Sequence, residues 1–319
     1  MKCTEKWTAE RIILVFNPNS SRAKTAIQKL KPEVESLRAS GTQVYLHETS
    51  SPDFDLNVLE LLDIIEENDL LVAVGGDATA SMVFNSAIRA SEAFDTSCYV
   101  AALPFGNFSD IAANFKCRNL HDVVNGHVEE FWPLECRVDG ELWRHAVEYV
   151  STGMYAEACK LFDEKDVRRT IKQHPSARLA ISLATLANWW YVARSKKMLP
   201  SFKMREVTRK KNRRQRYSHG ATNYLAVNGR SVAKILHGRK NHSRIFARWV
   251  SRPDRLIEIL GQMLEGLLFR LPSKSVESNR LIFVKSARIT LQADGEYSPF
   301  TARTIDVRKS ATPVQAIAR

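Results

Sequence analysis

The stretch from Leu70 to Thr79, LLVAVGGDAT, decides how the rest of the sequence is interpreted. Its first half is an apolar, partly β-branched run, which is typical of a buried parallel strand. Gly75, Gly76 and Asp77 follow at once, and a helical pattern begins after Thr79. A strand, a glycine turn and a helix start present backbone N–H groups to a phosphate, at the strand end where open α/β sheets bind ligands. The stretch therefore predicts a phosphate-binding turn, with an ordinary structural turn as the alternative.

Composition indicates a soluble globular protein with a basic surface. The chain has 319 residues, 44% of them hydrophobic and 26% charged, which favours two domains with sizeable cores. Its 47 Lys and Arg residues exceed its 35 Asp and Glu residues, for a net charge of +12. This excess predicts a polyanionic partner, such as nucleic acid, anionic lipid headgroups or phosphorylated ligands. A generally basic protein without such a partner is the alternative.

The cysteines and the apolar segments predict a reduced, cytoplasmic protein. The five cysteines are scattered and form no CxxC pair, which argues against a disulfide framework or a zinc site. Residues 1–11 lack the apolar region of a signal peptide. The longest apolar run, residues 179–193, is too short and too polar to span a bilayer.

The first 125 residues alternate between strand-like and helix-like patterns. Strands are predicted at 11–16, 44–46, 70–74 and 98–103. The helix after the first strand has apolar residues at helical spacing and ends near Gly41, the helix after the second strand is predicted at 54–67, and a helical pattern follows the third strand after Thr79. This alternation predicts a parallel sheet with helices on both faces. Ser20 or Ser21 is expected to cap the first helix. The loops after the first, third and fourth strands then lie at equivalent strand ends, which favours a nucleotide site.

The pattern changes near Pro133. Strands are predicted at 134–138, 144–150, 224–227, 281–284, 287–291 and 301–307, with turns such as Asp139-Gly140 between them and helices at 176–193 and 253–268. We expect a nucleotide-binding domain at residues 1–132 and a mainly antiparallel β domain at 133–319. In an alternative division, the extreme C-terminus returns to the first domain.

Four motifs occur in an order that is typical of one family. They are Asn17-Pro18-Asn19-Ser20, Gly75-Gly76-Asp77-Ala78-Thr79, the loop from Pro104 to Asp110, and Asp294-Gly295-Glu296. Together they resemble the diacylglycerol kinase catalytic-domain family, which includes sphingosine, ceramide and bacterial lipid kinases. A further segment, Ser151 to Ala158, stands where that family has GxGxDA. The resemblance extends from about residue 11 to about residue 310.

This resemblance implies a fold, two cofactors and a set of site residues. The fold is an N-terminal parallel α/β domain of the NAD kinase and diacylglycerol kinase type, followed by a C-terminal antiparallel β-sandwich domain with helices. ATP would lie in the cleft between the domains, and Asp77 would hold Mg²⁺. The catalytic residues would be Asp77, Asp294 and Glu296. The nucleotide-binding residues would be Asn17, Pro18, Asn19, Ser20, Gly75, Gly76, Ala78, Thr79, Gly106, Asn107, Ser109 and Asp110.

The chemistry of phosphoryl transfer needs these residue types. Mg²⁺ neutralises the phosphate oxygens and a carboxylate accepts the hydroxyl proton, and Asp77 and Asp294 are the two candidates for that base. Taken alone, Asp294-Gly295-Glu296 is also typical of an ordinary hairpin turn.

Several positions depart from the family pattern. Ala78 replaces a glycine, which would be strained if this position has a positive φ and harmless if it does not. Asn107 and Ser109 replace Thr and Asn, and Tyr155 replaces an Asp that is linked to substrate recognition in some members. The DG-x-LD segment that holds a structural Mg²⁺ in bacterial members is missing, so that site is not predicted.

Residues 203–216 form a strongly basic segment, with eight Lys and Arg residues against the single acid Glu206. It favours docking on an anionic membrane, since each cation contributes about 1 kcal/mol near such a surface. A solvated hairpin tip is the alternative, and nucleic-acid binding is disfavoured because no aromatics interleave the charges. Upstream, Trp189, Trp190 and Tyr191 fit a membrane interface or a helix covering the β core.

The sequence therefore predicts an ATP- and Mg²⁺-dependent lipid kinase that is cytoplasmic and associates peripherally with the inner membrane surface. The alternatives are a kinase of a soluble acceptor such as NAD, a nucleotide- or lipid-binding pseudokinase, and an RNA-binding protein. The acceptor lipid and a homodimeric state both stay open.

Overall fold

The computed structural model of the chain describes residues 9–20, 22–106, 109–162, 200–207, 221–229, 245–250 and 278–319. It also describes short pieces at 231–232, 236–237 and 274–276 and single positions at 167, 183, 184, 187 and 191. The chain divides into two compact units, residues 1–132 with 311–319 and residues 133–310. Each unit has its own sheet and its own buried core.

The elements follow one another in two groups along the chain. The first group is β1 Arg11–Phe16, α1 Ala23–Ala39, β2 Gln43–Glu48, α2 Phe54–Leu62, β3 Leu70–Gly75, α3 Asp77–Phe94, β4 Tyr99–Pro104, α4 Asp110–Phe115, α5 Leu120–Val124 and β5 His127–Phe131. The second group is β6 Leu134–Val138, β7 Glu141–Ala146, β8 Tyr149–Thr152, α6 Met154–Phe162, β9 Phe202–Val207, β10 Asn223–Val227, β11 Ser231–Val232, β12 Leu236–His237, β13 Ile245–Val250, β14 Lys274–Val276, β15 Ser278–Ala293, β16 Glu296–Lys309 and β17 Val314–Ala318.

The first unit is built on a six-stranded sheet in the order β2-β1-β3-β4-β17-β5. The first five strands in this order are parallel, and β5 is antiparallel to β17. Strands β1 and β3 are buried on both faces because helices cover the sheet on two sides, which explains their continuous apolar runs. On one face, Leu14 and Val72 pack with Leu30 of α1 and Leu120 of α5. The prediction of a parallel α/β domain is confirmed.

The last strand of the chain completes this sheet. β17 lies between β4 and β5, and Ile317 is fully buried in the same cluster as α1 and α5. The helix α2 differs from its predicted length, because it ends at Leu62 rather than Glu67. The backbone N–H groups of Ile64 and Ile65 both donate to the carbonyl of Leu61, so the chain closes into a turn before β3.

In its described residues, the second unit contains a nine-stranded antiparallel sheet in the order β14-β13-β10-β8-β15-β16-β6-β7, with β9 paired to β15. β15 pairs with β9 through its first half and with β8 through its second half. A register shift between Ile282 and Ala287 separates the two halves. The short strands predicted at 281–284, 287–291 and 301–307 are therefore one long hairpin, and the break in their pattern coincides with this irregularity. The predicted antiparallel β domain is confirmed.

Two predicted helices, at residues 176–193 and 253–268, lie outside the described residues apart from isolated positions. The basic segment does so from residue 208, while its first residues belong to β9. Trp189 and Trp190 also lie outside them. Among the described residues, no helix combines the length and the apolar character needed to cross a membrane.

Candidate functional site

The turn between β3 and α3 is built from glycine because its backbone is crowded. Gly75 ends β3, and a Cβ added there would meet the Thr79 hydroxyl oxygen at 2.7 Å. Gly76 is the N-cap of α3, and its carbonyl accepts the N–H of Ala80 at 3.0 Å. The first turn of an α-helix leaves N–H groups without intrahelical partners, which suits an anion.

A second glycine brings the loop after β4 against this turn. A Cβ added to Gly106 would lie 2.2 Å from the Cα of Gly76 and 2.8 Å from its nitrogen. The N–H of Phe105 also donates to the carbonyl of Gly75 at 3.2 Å. The two loops thus meet backbone to backbone, at a distance that only glycine permits.

Asp77 joins the same two loops through its carboxylate. One oxygen accepts the N–H of Ser109 at 3.0 Å, and the other accepts the N–H of Ile111 at 3.0 Å. The side chain is half-buried, and Asp77 itself is the first residue of α3. A carboxylate held from both oxygens has one orientation, so Asp77 is fixed relative to the glycine turn.

The loop after β1 reaches the same region through a side chain that the sequence did not single out. Asn17 organises this loop, since its side-chain oxygen accepts the N–H of Asn19 at 2.8 Å and its carbonyl accepts the N–H of Ser20. Arg22 then donates to the carbonyl of Gly106 at 3.3 Å. Its position two residues after the Asn-Pro-Asn-Ser motif was the available signal. The three loops predicted to share one sheet edge are in contact.

Helix α1 begins differently from the expectation. Its N-cap is Arg22, with no side-chain cap hydrogen bond, and the hydroxyl oxygen of Ser20 accepts the N–H of Arg22 at 3.4 Å. Ser20 therefore closes a local turn rather than capping the helix. Pro18 and Asn19 are exposed beside it, and Ser21 lies outside the described residues.

Two polar residues of the loop after β4 are buried, and one of them has a strained backbone conformation. Ser109 is buried with φ +125°, a left-handed conformation that is costly for a residue with a Cβ. Asp110 follows it as the first residue of α4 and is also buried. Asn107 lies outside the described residues. Backbone strain of this kind persists where surrounding contacts hold the chain in place. Here the contact is the hydrogen bond that the N–H of Ser109 donates to the Asp77 carboxylate.

Ala78, by contrast, is not strained. It lies in the first turn of α3, outside the set of positive-φ residues, and it is exposed. The family glycine at this position is therefore not needed for its backbone conformation, and replacing it with alanine does not distort the turn.

The fourth motif forms the turn of the β15–β16 hairpin. Asp294 and Gly295 have φ values of +50° and +92°, as a two-residue turn with the twist of the flanking strands requires. The carboxylate of Asp294 is 1% exposed and accepts the N–H groups of Val147 at 2.7 Å, Glu148 at 2.8 Å and Tyr149 at 3.1 Å. Asp294 is therefore a positioning group for the chain before β8.

Glu296 differs from Asp294 because it is half-buried, at the start of β16. In this turn, Glu296 is the carboxylate with partial access to solvent. The sulfur of Cys159 lies 3.3 Å from the carbonyl of Gly295, which ties α6 to the turn.

Helix α6 carries a polar cluster that the sequence analysis missed. The hydroxyl of Thr290 donates to Glu157 at 2.6 Å, and Lys160 donates to Thr290 at 2.7 Å. Tyr155 lies in the same helix and is half-buried. Gly153 precedes the helix with φ +76°, where a Cβ would meet the carbonyl of Thr222 at 2.1 Å. No sequence motif marks the cluster, because β15 and α6 are distant in the chain.

The described residues differ in their suitability for binding a metal ion and for supplying a nucleophilic thiol. The described residues contain no group of three His, Cys, Asp or Glu side chains placed to hold a metal ion. Mg²⁺ is usually held by one or two carboxylates together with substrate phosphates, and the single carboxylate of Asp77 fits that pattern. Burial raises the pKa of the Cys98 and Cys117 thiols to about 12, so neither is a nucleophile near neutral pH.

Known proteins share the sequence pattern of residues 11–130 and the fold of this chain. Residues 11–130 match the model of the diacylglycerol kinase catalytic domain. A crystal structure of a diacylglycerol kinase from Bacillus anthracis str. Sterne is 14% identical, covers 99% of both chains and has a TM-score of 0.68. Two further structures, each named as a putative diacylglycerol kinase from the same strain, are 15% identical with TM-scores of 0.68 and 0.67, and each covers 98% of this chain and 99% of its own. At this identity the likeness establishes the fold. No curated protein sequence matches the chain.

Proposed function

We propose, from the premise that residues 11–130 belong to the diacylglycerol kinase catalytic-domain family, that the protein transfers the γ-phosphoryl group of ATP to a lipid hydroxyl. The observation that carries this proposal is the backbone contact between Gly76 and Gly106 beside Asp77. A glycine-lined turn at a helix start and an oriented carboxylate are what phosphoryl transfer requires.

The nucleotide phosphates would lie on the first turn of α3. Gly75 and Gly76 allow the backbone to approach them, and Thr79 supports the turn from inside the unit, where it is buried. Asn17 and the loop from Gly106 to Asp110 would line the rest of the nucleotide, as the resemblance implies. The contact between Arg22 and Gly106 supports this arrangement because it holds two of these loops together.

Asp77 is the residue best placed to hold the metal. A carboxylate next to phosphates repels them unless a cation lies between the two groups. Mg²⁺ bound with ATP supplies that positive charge and neutralises the transferring phosphoryl group. The two backbone N–H groups of Ser109 and Ile111 orient the Asp77 carboxylate, whose oxygens would bind the metal.

Asp294 and Glu296 take different roles in this proposal. Asp294 holds residues 147–149 by three hydrogen bonds, so we assign it a positioning role rather than that of the base. Glu296 is the more accessible carboxylate of the same turn. It is the candidate for accepting the hydroxyl proton from the acceptor.

The proposal of a lipid acceptor is based on the family resemblance, and the proposal of membrane binding is based on the positive charge of the chain. The net charge of +12 and the basic residues 203–216 support binding to an anionic membrane surface from the cytoplasmic side. Such binding would bring the enzyme to a hydroxyl group located at the interface.

The experiment is transfer of labelled phosphate from Mg·ATP to mixed micelles that contain diacylglycerol, monoacylglycerol, sphingosine or ceramide. The parent protein should label one lipid. Asp77→Asn and Glu296→Gln should each lower the rate by about 10²-fold or more, since each removes a charged group from the reaction. Asp95→Asn is the matched control, because Asp95 ends the same helix in a left-handed conformation that Asn also adopts.

The outcomes separate the alternatives. Label in no lipid but in a soluble acceptor such as NAD would overturn the lipid assignment. Bound ATP without transfer to any acceptor would identify a pseudokinase. Full activity in Asp77→Asn would overturn the assigned site.

A further inference from the structure

A cleft of about 470 Å³ lies on the first unit, lined by α1, the end of β4 and the residues before α5. Three of its lining side chains are cations, Arg22, Lys29 and Arg118. They come from two separate parts of the chain, so their convergence is a product of the fold. Gly75, Gly76 and Asp77 do not line this cleft, which places it beside the nucleotide loops rather than within them.

Among the described residues of the first unit, the positive charge of this cleft is not neutralised. Its acidic lining residue, Glu33, has a carboxylate oxygen that accepts the backbone N–H of His121 at 3.1 Å. Among the described residues, neither Lys29 nor Arg118 has an ion-pair partner. Arg22 donates to the neutral carbonyl of Gly106 at 3.3 Å, and no carboxylate in the described part of the chain forms an ion pair with it. The lining therefore carries three positive charges and one negative charge.

The size and the walls of the cleft also suit a ligand. Ligand pockets typically measure about 300–1,000 Å³, and this cleft falls within that range. Phe105 is half-buried and Leu30 is buried, so apolar surface lies next to the cations. A cationic lining with an apolar wall is suited to a phosphate group attached to an organic body, because guanidinium groups bind phosphate oxygens in pairs.

We propose that this cleft binds a phosphate-bearing anion, supplied either by a lipid headgroup or by a soluble phosphate compound. Lys29 and Arg118 bind the anion, and Arg22 links the cleft to the glycine loop. The two residues that bind the anion, Lys29 and Arg118, have no assigned part in phosphoryl transfer.

The test is a calorimetric titration of the full chain with inorganic pyrophosphate in the presence of excess ATP and Mg²⁺, so that the nucleotide loops are occupied. The double variant Lys29→Gln/Arg118→Gln should bind pyrophosphate at least about tenfold more weakly, because two charged hydrogen-bond donors are lost. The control Lys24→Gln/Lys31→Gln removes the same charge from exposed positions of α1 outside the cleft and should bind as the parent does.

A second arm identifies the source of the phosphate. Sedimentation with phosphatidylcholine vesicles, with and without phosphatidic acid, is compared for the same two variants. Binding of acidic vesicles that falls only in Lys29→Gln/Arg118→Gln indicates a lipid headgroup, whereas an effect confined to pyrophosphate indicates a soluble ligand. If neither probe distinguishes the two double variants, the proposal is wrong. Transfer of phosphate to lipid is measured separately, so a failure here leaves the proposed kinase activity untouched.

Discussion

At the residue scale, the site depends on glycines that are needed for space rather than for unusual dihedral angles. Gly76 and Gly106 have no positive φ, yet the Gly106 backbone approaches Gly76 so closely that a side chain on Gly106 does not fit. Gly140 is the opposite case, with φ +94° and open space around it. The two causes predict different costs of substitution.

Gly106→Ala should destabilise the first unit by about 3 kcal/mol or more and remove phosphoryl transfer. The new methyl group would meet the Gly76 backbone at 2.2 Å, and a backbone neighbour cannot rotate away. Urea unfolding and the micelle assay measure the two effects.

Gly140→Ala is the control for Gly106→Ala. It should cost only about 1 kcal/mol, through φ strain in the second unit. Equal costs for the two variants would contradict the argument from crowding.

At the element scale, two Asp-Gly turns show how the same motif serves different purposes. Asp139 and Asp294 have nearly identical φ values, +51° and +50°, and both close hairpins. Asp139 is exposed, and its carboxylate accepts the N–H groups of Arg303 at 2.9 Å and Thr304 at 2.6 Å. Asp294 is buried, so water cannot replace its hydrogen bonds.

Asp294→Asn should destabilise the second unit by about 2 kcal/mol, since the amide presents N–H groups to the N–H groups of residues 147–149. Asp139→Asn should cost less than half as much, because water reaches that turn. Calorimetry of the two variants measures this difference. Similar melting temperatures would show that burial of Asp294 carries no additional stability.

Another element-scale prediction concerns Glu135, which joins β6 to β16 and is buried. Burial alone would raise the pKa of Glu135, but hydrogen bonds from Arg308, at 2.7 Å, and from Arg137 outweigh it and lower that pKa. A carboxyl with a lowered pKa in the folded state stabilises the protein above its unfolded pKa of about 4.3. This stability is lost as the pH falls through the folded-state value.

Glu135→Gln should therefore cost about 1–3 kcal/mol near neutral pH and flatten the acid dependence of unfolding. The check is the free energy of unfolding as a function of pH between neutral and acid. Glu141→Gln, at an exposed position of β7, is the control and should follow the parent curve. A variant at Glu135 whose acid slope equals that of the parent would contradict the assignment.

At the scale of the whole molecule, the first unit is completed by the last residues of the chain. β17 is parallel to β4 and antiparallel to β5, so it joins two strands that would otherwise be sheet edges. Chain entropy opposes such a long-range closure, and burial of residues such as Ile317 offsets it.

Ile317→Ala should destabilise the first unit by about 2–5 kcal/mol, because it leaves a cavity against α1 and α5. Gln315→Ala, on the same strand but half-buried, should cost under about 1 kcal/mol. Denaturant unfolding of both variants measures the contrast. Equal stability would mean that the C-terminal strand is dispensable for the sheet.

The local sequence determined the strands, the fold class and the hairpin turns of this protein. The apolar run before Gly75 predicted β3, the alternation of strands and helices predicted the parallel sheet, and Asp-Gly pairs predicted hairpin turns. These features were readable because neighbouring residues carry them. The order of the four motifs also predicted the resemblance to the diacylglycerol kinase catalytic domain, whose model matches residues 11–130.

Only the tertiary structure decided how distant residues meet. The contact of Gly76 with Gly106, the bonds from Asp77 to the loop after β4 and the burial of the Asp294 carboxylate join segments up to 147 residues apart. The cleft of Lys29 and Arg118 has the same origin. No local pattern marks such pairs, because each residue alone is compatible with an ordinary turn or an exposed helix face, and packing selects the partner.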